Sequence, residues 1–277
     1  MTQLVTAPAP AGRRLPALLR TSLSRGTLEV RSFFADRESV IFTFALPVIL
    51  LFVFGQVFHG DIGSTGVPFR QYFAAGIIAS GIMSATFVNL GAGIAADRDS
   101  GALKRLAGSP LRPAAYFAGK AISALVVAAA ETAVLLAVGG AVLGVRLPGT
   151  PGRWLTLGWV FALGGAACAM LGMALSSLPR SARSSTAVFT LPYLVLSFIS
   201  GVYFVFSSLP AGLQQIAALF PLKWLGQGLR AAFLPGLMQS VEPAHSWELA
   251  RVALVLGAWF VAGLVLCMTT FRWREPG

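Results

Sequence analysis

Six stretches of this chain run for about 20 residues or more with hardly a charge, and no water-soluble fold hides that much apolar surface. They fall at residues 39–58, 70–96, 121–144, 154–178, 186–206 and 247–271. A helix rises about 1.5 Å per residue, so ~20 apolar residues cross a ~30 Å hydrocarbon core. Charged residues make up only 11% of the chain, against about 25% in soluble domains. The expectation is an all-α membrane protein with six transmembrane helices. Residues 1–38 form a tail with an amphipathic segment, and 39–277 form the membrane domain.

The net charge of +11 does not point to nucleic acid, because the basic residues sit mainly in short connections between the apolar runs. Residues 1–38, 97–120, 179–185 and the C-terminal tail hold 15 of the 21 Lys and Arg residues. Cytoplasmic loops carry such an excess. The pattern predicts a plasma- or inner-membrane protein with both termini in the cytoplasm, in contact with membrane lipids. Residues 1–12 are Pro- and Ala-rich and read as disordered, with no evident cleavable signal peptide. Arginines in 13–37 interleave with Leu15, Leu19, Leu23, Val30, Phe33 and Phe34, which predicts an amphipathic helix on the membrane surface. Residues 207–240 are apolar but broken by Pro210, Pro221 and Pro235. Two short re-entrant helices fit this segment; a seventh span would put the basic tail outside.

Between the second and third runs, residues 97–113 are polar and basic. Asp97 and Asp99 lead and Lys104 and Arg105 follow, which suits a short helix and its dipole. Leu103 and Leu106 lie side by side at i, i+3, and Ser109-Pro110 stops the helix. The residues alone fit a docking element for a partner protein and a solvated connector equally well.

The run Asp97-Arg98-Asp99, Gly101, Leu103, Leu106, Ser109-Pro110, with Gly119-Lys120 opening the third span, resembles the type-2 permease subunit of ATP-binding-cassette (ABC) exporters. The resemblance is to the drug-resistance kind that includes daunorubicin permeases. Pro47 with Gly55, after Asp36-Arg37, is a second match. A third is Ser200-Gly201, Leu209-Pro210, Leu213-Gln214, Ile216-Ala217 and Pro221-Leu222. That family usually has Glu at both acidic positions and Thr where this chain has Ala102.

The resemblance implies a permease that pairs with a second copy of itself or a related permease and binds two cytosolic ATPase subunits. On that expectation Asp97, Arg98, Asp99, Gly101, Leu103, Arg105 and Leu106 couple to the ATPase. Its groove buries the leucines, with Asp97, Asp99 and Arg105 at the polar rim. Gly201, Pro210, Gln214 and Pro221 mark the re-entrant segment. ATP and Mg belong to the partner, since this chain has no phosphate-binding loop. Gly119-Lys120 is followed by Ala121, and Ala114 stands where the first glycine is needed. The expected substrate is a hydrophobic or amphipathic drug, lipid or lipid-linked glycan. A proton-coupled secondary transporter and a non-transporting scaffold are the rival readings.

Glu131 is the one acid deep inside a run, about ten residues or roughly 15 Å from its start. Ionisable groups at that depth are rare and face protein or a cavity. It reads as a protonated helix-bridging or dimer-interface acid, or as a group that recognises a cation. Cys168 and Cys267 lie in apolar runs and read as packing residues; His59 and His245 read as interfacial. Trp154, Trp159, Trp224, Trp247 and Trp273 sit near span ends, as in an aromatic belt. Gly139-Gly140 and Gly164-Gly165 read as close helix packing. No His-Glu-x-x-His motif or serine triad supports hydrolytic chemistry.

Overall fold

The computed structural model describes residues 17–58, 60–108, 111–179 and 181–270. The expectations for residues 1–12, His59, Ser109-Pro110, Arg180, Trp273 and the tail arginines lie outside the described residues.

Lipid offers no hydrogen bonds, so a spanning chain must pair its backbone within each segment, and the helix does so. Six helical segments are long and apolar enough to cross a membrane. They are α2 (Arg37–Val57), the continuous segment α3 (Phe69–Met83) with α4 (Leu90–Asp99), α6 (Pro113–Leu143), α7 (Pro151–Leu175), α8 (Ala182–Ile199) and α11 (Leu249–Thr270). A π-helical turn at Ser84–Asn89 joins α3 to α4. Among the described residues the remaining helices are short or amphipathic: α1 (Ala17–Ala35), α5 (Ala102–Ala107), α9 (Ala211–Ala218) and α10 (Pro221–Phe233).

The second span forms the buried centre of the bundle. Against it or its neighbours lie α2, α6, α7, α8 and α10, while α11 packs along α7 and α1 along α6. The outward faces of α2, α8 and α11 carry exposed apolar side chains such as Phe42, Ile49, Leu191 and Leu254. Gly164 and Gly165 let α7 approach closely, since a Cβ on either would meet Leu225 or Leu125. Gly139 and Gly140 do not work this way, because a Cβ there would make only ordinary contacts of 3.5 Å or more.

Helix ends follow local chemistry. Asp36 separates α1 from α2, its carboxylate accepting from the backbone N–H of Glu38 and Ser39 and from the Ser39 hydroxyl at 2.6 Å. That hydroxyl holds the Asp36 carboxyl below the usual carboxylate range. Ser181 and Ser184 form a capping box at the start of α8. The fifth span stops at Ile199, short of the expected residue 206, because the chain turns at Gly201 with φ +76°.

Conversely, α4 runs on to Asp99 and α6 begins at Pro113, so much of the expected connection is helical. The N-terminal helix meets α6 through its small side, with Gly26 against Ile122 and Gly119. Its Leu18, Leu19, Leu23 and Leu28 stay exposed. Neither α9 nor α10, at 8 and 13 residues, spans a bilayer. Trp224 is buried in the bundle, donating to Ala218 O at 2.7 Å, so it is not a belt residue.

Candidate functional site

The three charged residues at the end of α4 each reach a different helix. Asp97 Oδ2 lies 2.8 Å from Lys120 Nζ and accepts from the Tyr116 hydroxyl at 2.7 Å, both on α6. Lys120 also pairs with Glu29 of α1 at 2.8 Å, and Arg25 pairs with Glu29 at 2.6 Å. Arg98 donates to Ser176 O at 2.9 Å and to Pro179 O, at the C-terminal end of α7. Asp99 Oδ2 accepts from Ala182 N at 3.1 Å, in the first turn of α8. A cation at one helix C-terminus and an anion at another N-terminus both complement the helix dipoles. The motif is therefore a hub joining α1, α4, α6, α7 and α8.

The partners of these residues lie in the chain itself. Asp97 and Asp99 have their partners within the bundle, as does Arg98. Gly101, at φ +71°, adopts the left-handed turn that redirects the chain into α5. Leu103 is only 6% exposed, packed among Leu90, Ile94, Tyr116, Ala169 and Met173, with Leu106 half-buried beside it. The leucine stripe thus anchors α5 to its own bundle and is not offered outward. The exposed side of α5 carries Lys104 and Arg105, the latter 3.4 Å from Ser100 O.

Deeper in the bundle, Glu131 is 2% exposed, and neither carboxyl oxygen has a hydrogen-bond partner among the described residues. The helix-bridging bond expected of it is absent there, and it faces into the protomer. Its carboxyl lies against Gly81 of α3, where a Cβ would collide with it. Gly81, Ser80 and Ser84 also form part of the wall of a cavity of about 260 Å³ between α2 and α8. Ser80 and Tyr193 hydroxyls, 2.7 Å apart, sit on that wall. A second cavity, of about 250 Å³, lies between α1, α4 and α6 and is bordered by Glu29, Asp36 and Lys120. Asn89 borders both cavities, at the end of the π-helical turn. Such turns recur at functional sites.

In the segment between α8 and α11, the expected marker residues shape turns. Pro210 precedes α9, Gln214 folds back onto Leu209 O at 2.8 Å, and Pro221 opens α10. A side chain at Gly201 would strike Phe206. The buried chemistry here lies on Arg230 and Lys223, basic residues outside the segments that carry the basic excess. Arg230 is 0% exposed, pairs with Glu242 at 2.7 Å, and sits 5.0 Å from the Tyr72 ring centre. Two turns earlier on α10, Lys223 bonds Gln227, which donates to Trp247 O at 3.0 Å. The signal was present: Lys223, Gln227 and Arg230 form a polar stripe at helical spacing in an apolar segment.

Residues 65–268 match the profile of the ABC-2 family transporter proteins. The chain belongs to the ABC-2 transporter family. It is also 32% identical over 197 residues to Nodulation protein J of Rhizobium leguminosarum bv. viciae, covering 68% of this chain and 72% of that protein. The matched region includes the hub, Glu131 and the Arg230 cluster, but begins after α2, so the Pro47 and Gly55 motif lies outside it. Membership makes this chain a multi-pass ABC transporter membrane subunit and implies an ABC ATPase partner.

Proposed function

We propose that this ABC-2 subunit is the permease of an ATP-driven exporter that moves a hydrophobic or amphipathic compound outward across the plasma or inner membrane. Two copies of a cytosolic ATPase hold ATP and Mg, and two permeases pair to enclose the path. The hub carries this reading. Closure of the ATPases pushes α5, and Asp97, Arg98 and Asp99 pass the displacement to α6, α7 and α8 together. The groove between α2 and α8 is the substrate path, with apolar walls from Phe42, Leu46 and Leu194. Rings of Phe54, Phe73 and Tyr203 stack beyond it, Phe54 and Phe73 at 4.7 Å.

The exposed cations of α5 meet an acidic ATPase surface. Reversing both, Lys104→Glu with Arg105→Glu, is expected to cut co-purification of the ATPase at least about tenfold, the loss set by like-charge juxtaposition. Membrane insertion is unchanged. Leu103→Asp acts differently: it places a carboxylate in the core and lowers the yield of folded permease itself. ATPase binding and transport at the normal level in the double reversal would remove α5 as the docking element.

Orientation has its own test. A single cysteine replacing Gly108, in a background lacking Cys168 and Cys267, is protected from an impermeant thiol reagent in whole cells. One replacing Ser64, exposed between α2 and α3, reacts. Labelling of position 108 from outside reverses the assignment of both termini to the cytoplasm.

A further inference from the structure

We propose that Glu131 sets substrate charge: the groove between α2 and α8 takes the cationic head of an amphiphile, favoured over an uncharged head of the same shape by the Glu131 carboxyl behind its wall. This rests on reading the groove as the substrate path.

Three observations converge on it. First, Glu131 is buried and both its oxygens lack partners among the described residues. A buried carboxylate without a counter-charge is strongly unfavourable, and in proteins such groups pair, coordinate a cation or become neutral. Second, the carboxyl packs directly on Gly81, where any Cβ would occupy the space it fills. The same glycine is part of the groove wall, so the acid lies one backbone thickness behind that wall. Third, among the described residues the groove wall contains no Lys or Arg, so none of them competes for the acid from that side. In a water-poor interior the attraction between acid and ligand is far stronger than at a surface.

The remaining lining suits the rest of such a ligand. Ser80 and Tyr193 supply a hydroxyl pair beside Gly81, and Phe42, Leu46, Leu50 and Leu194 supply apolar contact. The groove's volume of about 260 Å³ is below the roughly 300–1,000 Å³ of pockets that enclose a drug-sized molecule. It accommodates a head group, and an apolar tail extends along the exposed faces of α2 and α8, where Ile49, Leu191 and Val195 lie.

The test uses the full permease with its partner ATPase in liposomes and two labelled probes below their micellar concentrations. Dodecyltrimethylammonium is a cation; dodecyldimethylamine N-oxide has nearly the same shape and no net charge at neutral pH. The wild type is expected to carry the cation at least about tenfold faster at limiting concentration, the scale of one buried charge contact. Glu131→Gln removes the charge at constant shape and is expected to abolish that preference, with N-oxide transport within about twofold of wild type. Gly81→Ala displaces the carboxyl and weakens cation transport selectively.

Equal effects of Glu131→Gln on both probes, or no effect on either, overturn the charge-selection role, as does equal or absent transport of both by the wild type. Should the Gln variant fail to assemble, the wild-type contrast decides alone. A separate variant, Leu46→Trp, fills the groove and is expected to stop both probes. If both still pass, the groove is not the path, and that reading fails independently of Glu131.

Discussion

Replacing Arg98 by alanine is expected to stop transport while leaving the permease inserted and still able to bind its ATPase. Arg98 joins α4 to the end of α7 through Ser176 O and Pro179 O. Hydrogen bonds to a charged group contribute about 1.5–3 kcal/mol each. Losing two therefore shifts the balance between coupled and uncoupled arrangements by about two orders of magnitude or more. Arg98→Lys keeps the charge but has no planar fork to reach both carbonyls, so partial activity is expected. Substrate-stimulated ATP hydrolysis in liposomes reports the loss: basal hydrolysis persists and stimulation disappears. Asp97→Ala has a smaller effect, because Lys120 retains Glu29. Normal transport by Arg98→Ala would mean that α7 receives its motion by another route.

The second large effect is on stability. Arg230→Ala leaves the buried Glu242 without its hydrogen-bonded cation, and removing one partner of a buried ion pair costs about 3–5 kcal/mol. The expected outcome is a marked fall in the melting temperature of the purified permease, or loss of the monodisperse species. Replacing both partners, Arg230→Met with Glu242→Leu, removes the isolated charge and is expected to recover most of the stability. That recovery separates a charge-burial effect from a packing effect, since both variants lose the Arg230 packing against Tyr72. An unchanged melting temperature in Arg230→Ala would show that the pair contributes nothing.

The hub residues share one property: their partners are distant in the chain. Arg98 meets carbonyls 78 and 81 positions away, Asp99 an amide 83 away, and Lys120 an acid 91 away. A local pattern of acids, bases and leucines fits an exposed docking helix as well as an internal clamp, because spacing alone does not say which neighbours are present. Leu103 shows this most directly. Its i, i+3 pairing with Leu106 was legible, but the side of α5 facing the bundle was not. Arg230 was not singled out for the same reason, although its polar stripe with Lys223 and Gln227 was visible in the sequence.

What the sequence determined by itself was the six-helix membrane architecture, and the reason is the solvent. Lipid requires about 20 uncharged residues per crossing and a backbone paired within each segment, and both constraints are local. The breaks at Gly201, Pro210 and Pro221 were local too, since φ and the missing proline N–H are properties of single residues. Tertiary structure alone decided that the Asp97-Arg98-Asp99 motif closes on three other helices and that Glu131 has no hydrogen-bond partner among the described residues. It also placed that acid against Gly81, a residue of the groove wall. Those facts depend on which helix faces meet, which follows from side-chain packing summed over the whole bundle.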